Sequence, residues 1–140
     1  MATDPVATRW DDIPGEAVRP GVSRKGFGTD DVILVMNRIE PEIEIKPHVH
    51  EDFDQIATIV SGEAIYHVGD VAHEVGPGSL LLIPAGTVHY IEPRGDTPIQ
   101  NLDVFAPARD DYRHLLAWMS PAAGGHAASP APDDAGGSDA

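Results

Sequence analysis

The sequence predicts an all-β barrel or sandwich with one helix near its C-terminal end. Three observations point there. Between Asp31 and Pro107, short β-rich runs follow one another, each cut off by Gly or Pro. Several of these runs alternate apolar and polar side chains with period two. Only ARDDYRHLLAWMS places apolar residues at helical spacing, with Tyr112, Leu115, Leu116 and Met119 at i, i+3, i+4 and i+7.

Residues 1–30 carry Trp10, Ile13, Val18, Val22 and Phe27 between Pro and Gly, and read as an irregular strap with one short strand. The barrel is expected over 31–107. DVILVMNRIE is its first strand, ended by Pro41. EIEIKPHVH alternates from Glu42 to Lys46 and reads as the second. QIATIVSGEAIYHVGD gives two strands around Gly62. AHEVGPGSLLLIPAGTVHYIEP gives a strand, a Gly-Pro-Gly turn, an apolar strand, a Pro-Ala-Gly turn and another strand. IQNLDVFAP is the last, ended by Pro107. The helix is expected over 108–119, packed on the outside of the β core, with Asp110 and Asp111 suiting its dipole. Residues 120–140 offer nothing apolar larger than Ala and read as a disordered tail.

A chain of 140 residues suits one domain, and a 41% hydrophobic fraction is ordinary for a globular protein. No apolar run is long enough to span a bilayer, and the first thirty residues are too broken for a signal peptide. A cytoplasmic protein is expected. The absence of Cys fits that setting and removes thiolates as ligands or nucleophiles. Nine basic against 23 acidic residues give a net charge of −14, which disfavours nucleic acid and anionic membranes as partners. A small molecule is the expected partner, and an anionic one remains compatible if a bound cation reverses the potential locally.

His48 and His50 stand one residue apart. On a strand they would share a face, with Cα atoms ~6.5–7 Å apart, and both could reach one ion. GSLLLIPAGTVHY adds Gly78, Pro84, Gly86 and His89, whose turns deliver His89 to the face of the following strand. No structural role explains all three imidazoles at these spacings.

These two stretches resemble the paired motifs of the cupin superfamily, written G-x5-H-x-H-x3–4-E-x6-G and G-x5-P-x-G-x2-H-x3-N. His48, His50 and Gly62 fall in the first, and Gly78, Pro84, Gly86 and His89 in the second. The resemblance implies a double-stranded β-helix barrel, jelly-roll-like, with a divalent ion inside its mouth. Three positions depart from the pattern. Glu42 stands at the first glycine, Pro93 at the final Asn, and Gln55 seven residues before Gly62 where Glu is usual. Gln55 is the expected fourth ligand. Asp54 is the chemical alternative, one residue out of register and so turned to the opposite face of a strand. Three imidazoles and an amide leave the ion its full charge, which favours Lewis-acid work, whereas a carboxylate ligand makes the site more like oxygen-handling iron sites. Mn, Fe, Co, Ni and Zn all suit such donors.

GVSRKGFG, HEDFDQ and LDVFAPARDDY extend the resemblance to small cupins of the KdgF-like branch. Those act in pectin and alginate breakdown and help 4,5-unsaturated uronates become open-chain keto acids. The resemblance thus implies an isomerase- or lyase-type enzyme acting on a small oxygen-rich metabolite through enolate chemistry. The alternatives are an oxygen-dependent dioxygenase, as in the quercetinase-like cupins, and a non-catalytic ligand-binding barrel. Asp54, or Tyr66 as a tyrosinate, is the candidate proton acceptor. Lys46, Arg38 and Tyr90 are candidate substrate contacts, although each also fits a structural role: Lys46 reaching solvent, Arg38 in an outer salt bridge, Tyr66 and Tyr90 as packing aromatics. Asp103 is read either as support for a ligand histidine or as a turn cap. The outer face of Ile56, Thr58 and Val60 is apolar for a monomer, so a homodimer is expected.

Overall fold

Most of the β-rich runs form strands, with corrections at both ends and one in the middle. The computed structural model describes residues 4–120. Its strands are β1 (Glu16–Arg19), β2 (Val22–Gly28), β3 (Ile33–Ile39), β4 (Gln55–Ser61), β5 (Glu63–Val68), β6 (Val71–Val75), β7 (Leu80–Ile83), β8 (His89–Arg94) and β9 (Ile99–Phe105). They build a six-stranded sheet in the order β1-β2-β3-β9-β4-β7 and a three-stranded sheet in the order β6-β5-β8, antiparallel throughout. The molecule is an all-β double-stranded β-helix.

Period two sets the layers. On β3 the side chains of Ile33, Val35, Asn37 and Ile39 are buried on the concave face, while Arg38 is exposed. Ile39, Ala57, Ile59, Tyr66, Ile83, Ile91 and Ile99 fill the space between the two sheets. The turn from β4 to β5 requires Gly62: its φ is +87°, and a Cβ there would lie 2.6 Å from the Pro98 carbonyl oxygen.

The N-terminal stretch is more regular than a strap. β1 and β2 form a hairpin that joins the large sheet, with Val22–Gly28 paired residue by residue to β3. The strand expected over Glu42–Lys46 is absent, and residues 40–54 run as a loop between β3 and β4. Pro41 and Pro47 have no N–H to donate, so alternation alone does not secure a strand there.

The C-terminal helix is a 3-10 helix over Asp110–Met119, not an α-helix. Tyr112, Leu115 and Leu116 are buried as their spacing predicts, but not on the outside. They pack on the concave face, in one cluster with Ile33, Val35 and Phe105. Gly26 permits this approach, since a Cβ there would lie 2.6 Å from the Leu115 Cβ. The expected tail lies outside the described residues. Among the described residues no helix is long and apolar enough to cross a membrane.

Candidate metal centre

His48 and His50 come from the loop over 40–54, and His89 is the first residue of β8. Although no strand carries His48, it is tied to His89 as a bridge pair. His48 N–H donates to the His89 carbonyl at 3.0 Å, and His89 N–H donates back at 2.8 Å. Gly86 N–H then donates to the His50 carbonyl at 2.7 Å, so the Pro-Ala-Gly turn anchors the second histidine. The ring centroids lie 4.2 Å apart for His48 and His89, 5.1 Å for His50 and His89, and 5.4 Å for His48 and His50.

One potential ligand atom from each ring falls within 4.8 Å of the others. His48 Nδ1 faces the Lys46 carbonyl at 3.2 Å, and His89 Nδ1 faces the Thr87 carbonyl at 2.9 Å. A carbonyl only accepts, so each Nδ1 carries the hydrogen and each Nε2 keeps its lone pair for an ion. Burial lowers the His48 pKa. The His50 pKa is lowered to about 3, first by burial, then by the Arg109 guanidinium and the two neighbouring rings. Both shifts favour the neutral form of His48 and His50 that metal binding requires.

Gln55 opens β4 and is buried, with its amide fixed. Its Nε2 donates to Asp103 Oδ1 at 2.8 Å, and its Oε1 makes no hydrogen bond among the described residues. A buried amide oxygen without a hydrogen donor is costly unless something electropositive meets it. Three imidazoles and this oxygen are a donor set that fits a divalent transition metal. Asp103 Oδ2 also accepts from Asn37 Nδ2 at 2.9 Å, and Oδ1 accepts from Asn101 Nδ2 at 2.9 Å. Asp103 thus braces Gln55; the sequence had offered it a histidine or a turn.

Asp54 lies where alternation puts it, on the outer side. It is exposed, is not among the residues grouped with the three histidines, and accepts from Ala85 N–H at 2.9 Å. That position makes it a cap of the Pro84–Thr87 turn. Tyr66 is buried beside Gln55, and burial together with the Asp103 charge pushes its pKa well above the usual value. The shift favours the protonated phenol over the tyrosinate. Lys46 and Tyr90 line a small hollow against His48, together with Arg19. The Tyr90 ring also stacks on His67 at 4.2 Å. Arg38 turns outward and pairs with Glu40 at 3.0 Å, the surface alternative.

Arg109 is the residue that sequence reasoning missed. It reads as the start of a helix, yet it is buried with its guanidinium over the rings of Tyr112 at 3.9 Å, Phe53 at 4.5 Å and Phe105 at 4.9 Å. The Phe53 and Phe105 rings contact His50 at 5.3 and 6.1 Å. Asp111 holds one side of the guanidinium, and Nη1 is buried without a hydrogen bond among the described residues. Asn37 and Asn101 were missed too. Asn37 left a signal, a polar side chain at the inward parity of an otherwise apolar strand.

The model of one protein family, the cupin domain, matches residues 35–105, half of the chain. The chain belongs to the cupin family. Among curated proteins, this cupin is 35% identical over 79 residues to an uncharacterized protein of Acanthamoeba polyphaga mimivirus, covering 54% of this chain and 49% of that one. It is 29% identical over 92 residues to an acireductone dioxygenase of Exiguobacterium sibiricum, covering 59% and 51%. The matches thus span about half the length of these curated relatives. Among solved structures, KdgF from Halomonas sp. is similar with a TM-score of 0.69 and 25% identity, covering 77% of this cupin and 98% of KdgF. An RmlC-like cupin from Shewanella frigidimarina has a TM-score of 0.68 at 22% identity, covering 78% and 96%, and shares the fold.

Proposed function

We propose that this cupin is a metal-dependent enzyme of isomerase or lyase type that acts on a small oxygen-rich metabolite, a sugar-derived acid in the most concrete version. The observation that carries the reading is the convergence of three imidazoles in a barrel whose buried Gln55 Oε1 has no hydrogen bond among the described residues. His48, His50, His89 and Gln55 would hold a divalent transition metal, which supplies Lewis acidity toward a substrate oxygen. Asp103 sets the direction of the Gln55 amide. Tyr66, kept protonated, serves as a hydrogen donor. Arg109 offers its unpaired Nη1 to an anionic group of the substrate, held flat by the three rings beneath it. Lys46 and Tyr90 contribute from the hollow beside His48. Similarity to KdgF supports a 4,5-unsaturated uronate as the first substrate to try. The reading includes a homodimeric working unit.

The test is metal analysis of the untagged protein together with turnover of that uronate. The wild type should carry a transition metal and consume the substrate without taking up oxygen. His50→Ala should lose both metal and turnover; unchanged turnover in His50→Ala overturns the reading. Similarity to an acireductone dioxygenase favours a second reading, an oxygen-using enzyme, and oxygen uptake coupled to substrate loss would select it. Ligand binding without any product would select a binding barrel instead.

A further inference from the structure

We propose that the metabolite is a diacid, and that its second carboxylate is bound by Arg19 and Lys46 in the hollow beside His48. The inference rests on the metal-dependent reading above and names the substrate class for that site.

Charge pairing picks out these two residues. Arg24, Arg38, Arg94, Arg109 and Arg113 each pair with an Asp or Glu. Arg19 and Lys46 have no such partner among the described residues, although Glu42 and Glu44 stand on the same loop as Lys46. In a chain with 23 acidic and nine basic residues, two neighbouring cations without an acid are a departure. Both line one hollow, with His48 and Tyr90. Arg19 Nη1 donates to the Glu44 carbonyl at 2.8 Å, which fixes the guanidinium and leaves its other N–H groups without an acceptor among the described residues. Tyr90 is held by its ring, which stacks on His67, and His67 Nε2 lies 2.9 Å from Glu92 Oε1. Beneath them Val22, Ile39 and Ile91 are buried. An apolar floor strengthens the attraction of the two cations for an anion. A planar carboxylate matches the free fork of a guanidinium.

The place of the hollow is what implies two acids. Val22 pairs with Ile39 at one end of the large sheet, and Ile33 pairs with Phe105 at the other. The hollow is built on Val22 and Ile39, whereas Arg109 lies over Phe105. The histidines fall between. His48 lines the hollow, and His50 packs on Phe53 and Phe105. One carboxylate at Arg109 and one at Arg19 would therefore flank the oxygens presented to the histidines. A substrate with a single acid would leave one of these cations idle.

Calorimetric titration of the metal-loaded full chain with D-galactarate and with D-galactonate tests the proposal, because the two differ only in a carboxylate or a hydroxymethyl group at one end. Galactarate should bind roughly 10–100-fold more tightly, as charge-assisted hydrogen bonds to the second carboxylate would give. Arg19→Met and, separately, Lys46→Met should each cut that preference several-fold, with metal content, melting temperature and galactonate affinity unchanged. Lys46 is exposed, so its arm stands even where Arg19→Met perturbs the loop. Arg94→Met, which removes a paired surface cation, should keep the preference. Equal affinity for the two acids, or no binding of either, overturns the diacid and leaves the metal reading standing. So does a preference that survives both hollow variants, or one that falls as far in Arg94→Met. A chain that takes up no transition metal sinks the metal reading and this inference with it.

Discussion

The Gln55 amide nitrogen donates to the Asp103 carboxylate at 2.8 Å, joining residues 48 positions apart on neighbouring strands. The bond decides which end of the amide is left for an ion. Asp103→Ala should free the amide to rotate and leave the Asn37, Gln55 and Asn101 donors short of an acceptor. Metal affinity by calorimetry should fall roughly 10–100-fold. The melting temperature should fall as well, each buried donor left bare costing about 1–3 kcal/mol.

Gln55 and Asp54 should separate cleanly in elemental analysis. Gln55→Ala should lose most of its metal. Asp54→Ala should keep it, losing only an exposed cap on the Ala85 N–H worth about 1 kcal/mol. Gln55→Glu sets a second carboxylate against Asp103 in place of a donor, so its metal-free form should melt below the wild type.

Lowered histidine pKa values fix the sign of the metal-free protein's acid response. His50 titrates near 3 when folded and near 6.5 when unfolded, so between those values the unfolded chain binds more protons. Stability should therefore fall as pH drops from about 6.5 toward 3 and stop responding to this group below that. His48, also lowered, adds in the same direction. Urea midpoints across this range should decline less steeply in His50→Gln. In Arg109→Met, removal of the guanidinium charge should raise the His50 pKa, read by NMR titration of its ring.

Gly26→Ala should destabilise the fold without touching the histidines. The added methyl would meet the Leu115 Cβ at 2.6 Å and its carbonyl oxygen at 3.3 Å, so the 3-10 helix must shift. A loss of about 1–3 kcal/mol in denaturant unfolding is expected. Unchanged stability would mean that the helix does not hold this position.

The strands and the three histidines were legible in the sequence because both rest on local spacing. Period two marks a strand, and His48, His50 and His89 sit at intervals that turns and a short strand can convert into proximity. That Gln55 is buried and Asp54 exposed was legible for the same reason, since parity from Gly62 decides the face. What stayed hidden depends on pairing between distant segments. The register of β4 against β9 brings Asp103 to Gln55, and nothing near either residue announces it. Arg109 stands in a charged run whose local reading is a helix start, and only the packing of the 3-10 helix onto the concave face turns it toward Phe53 and Phe105. Glu42–Lys46 shows the converse: an alternating pattern with no neighbouring strand to pair with it stays a loop.

That loop, residues 40–54, supplies two of the three imidazoles, while the third belongs to β8. Its ties to the turn and strand beyond include the His48–His89 bridge and the Gly86–His50 bond. A shared ion would add a cross-link between chain segments 39 positions apart, from His50 to His89. Such a cross-link restricts the loop's freedom as a clasp does. Stripping the ion with a chelator should thus expose residues 40–54 to a protease long before the barrel itself unfolds, and cleavage there would report occupancy independently of any substrate.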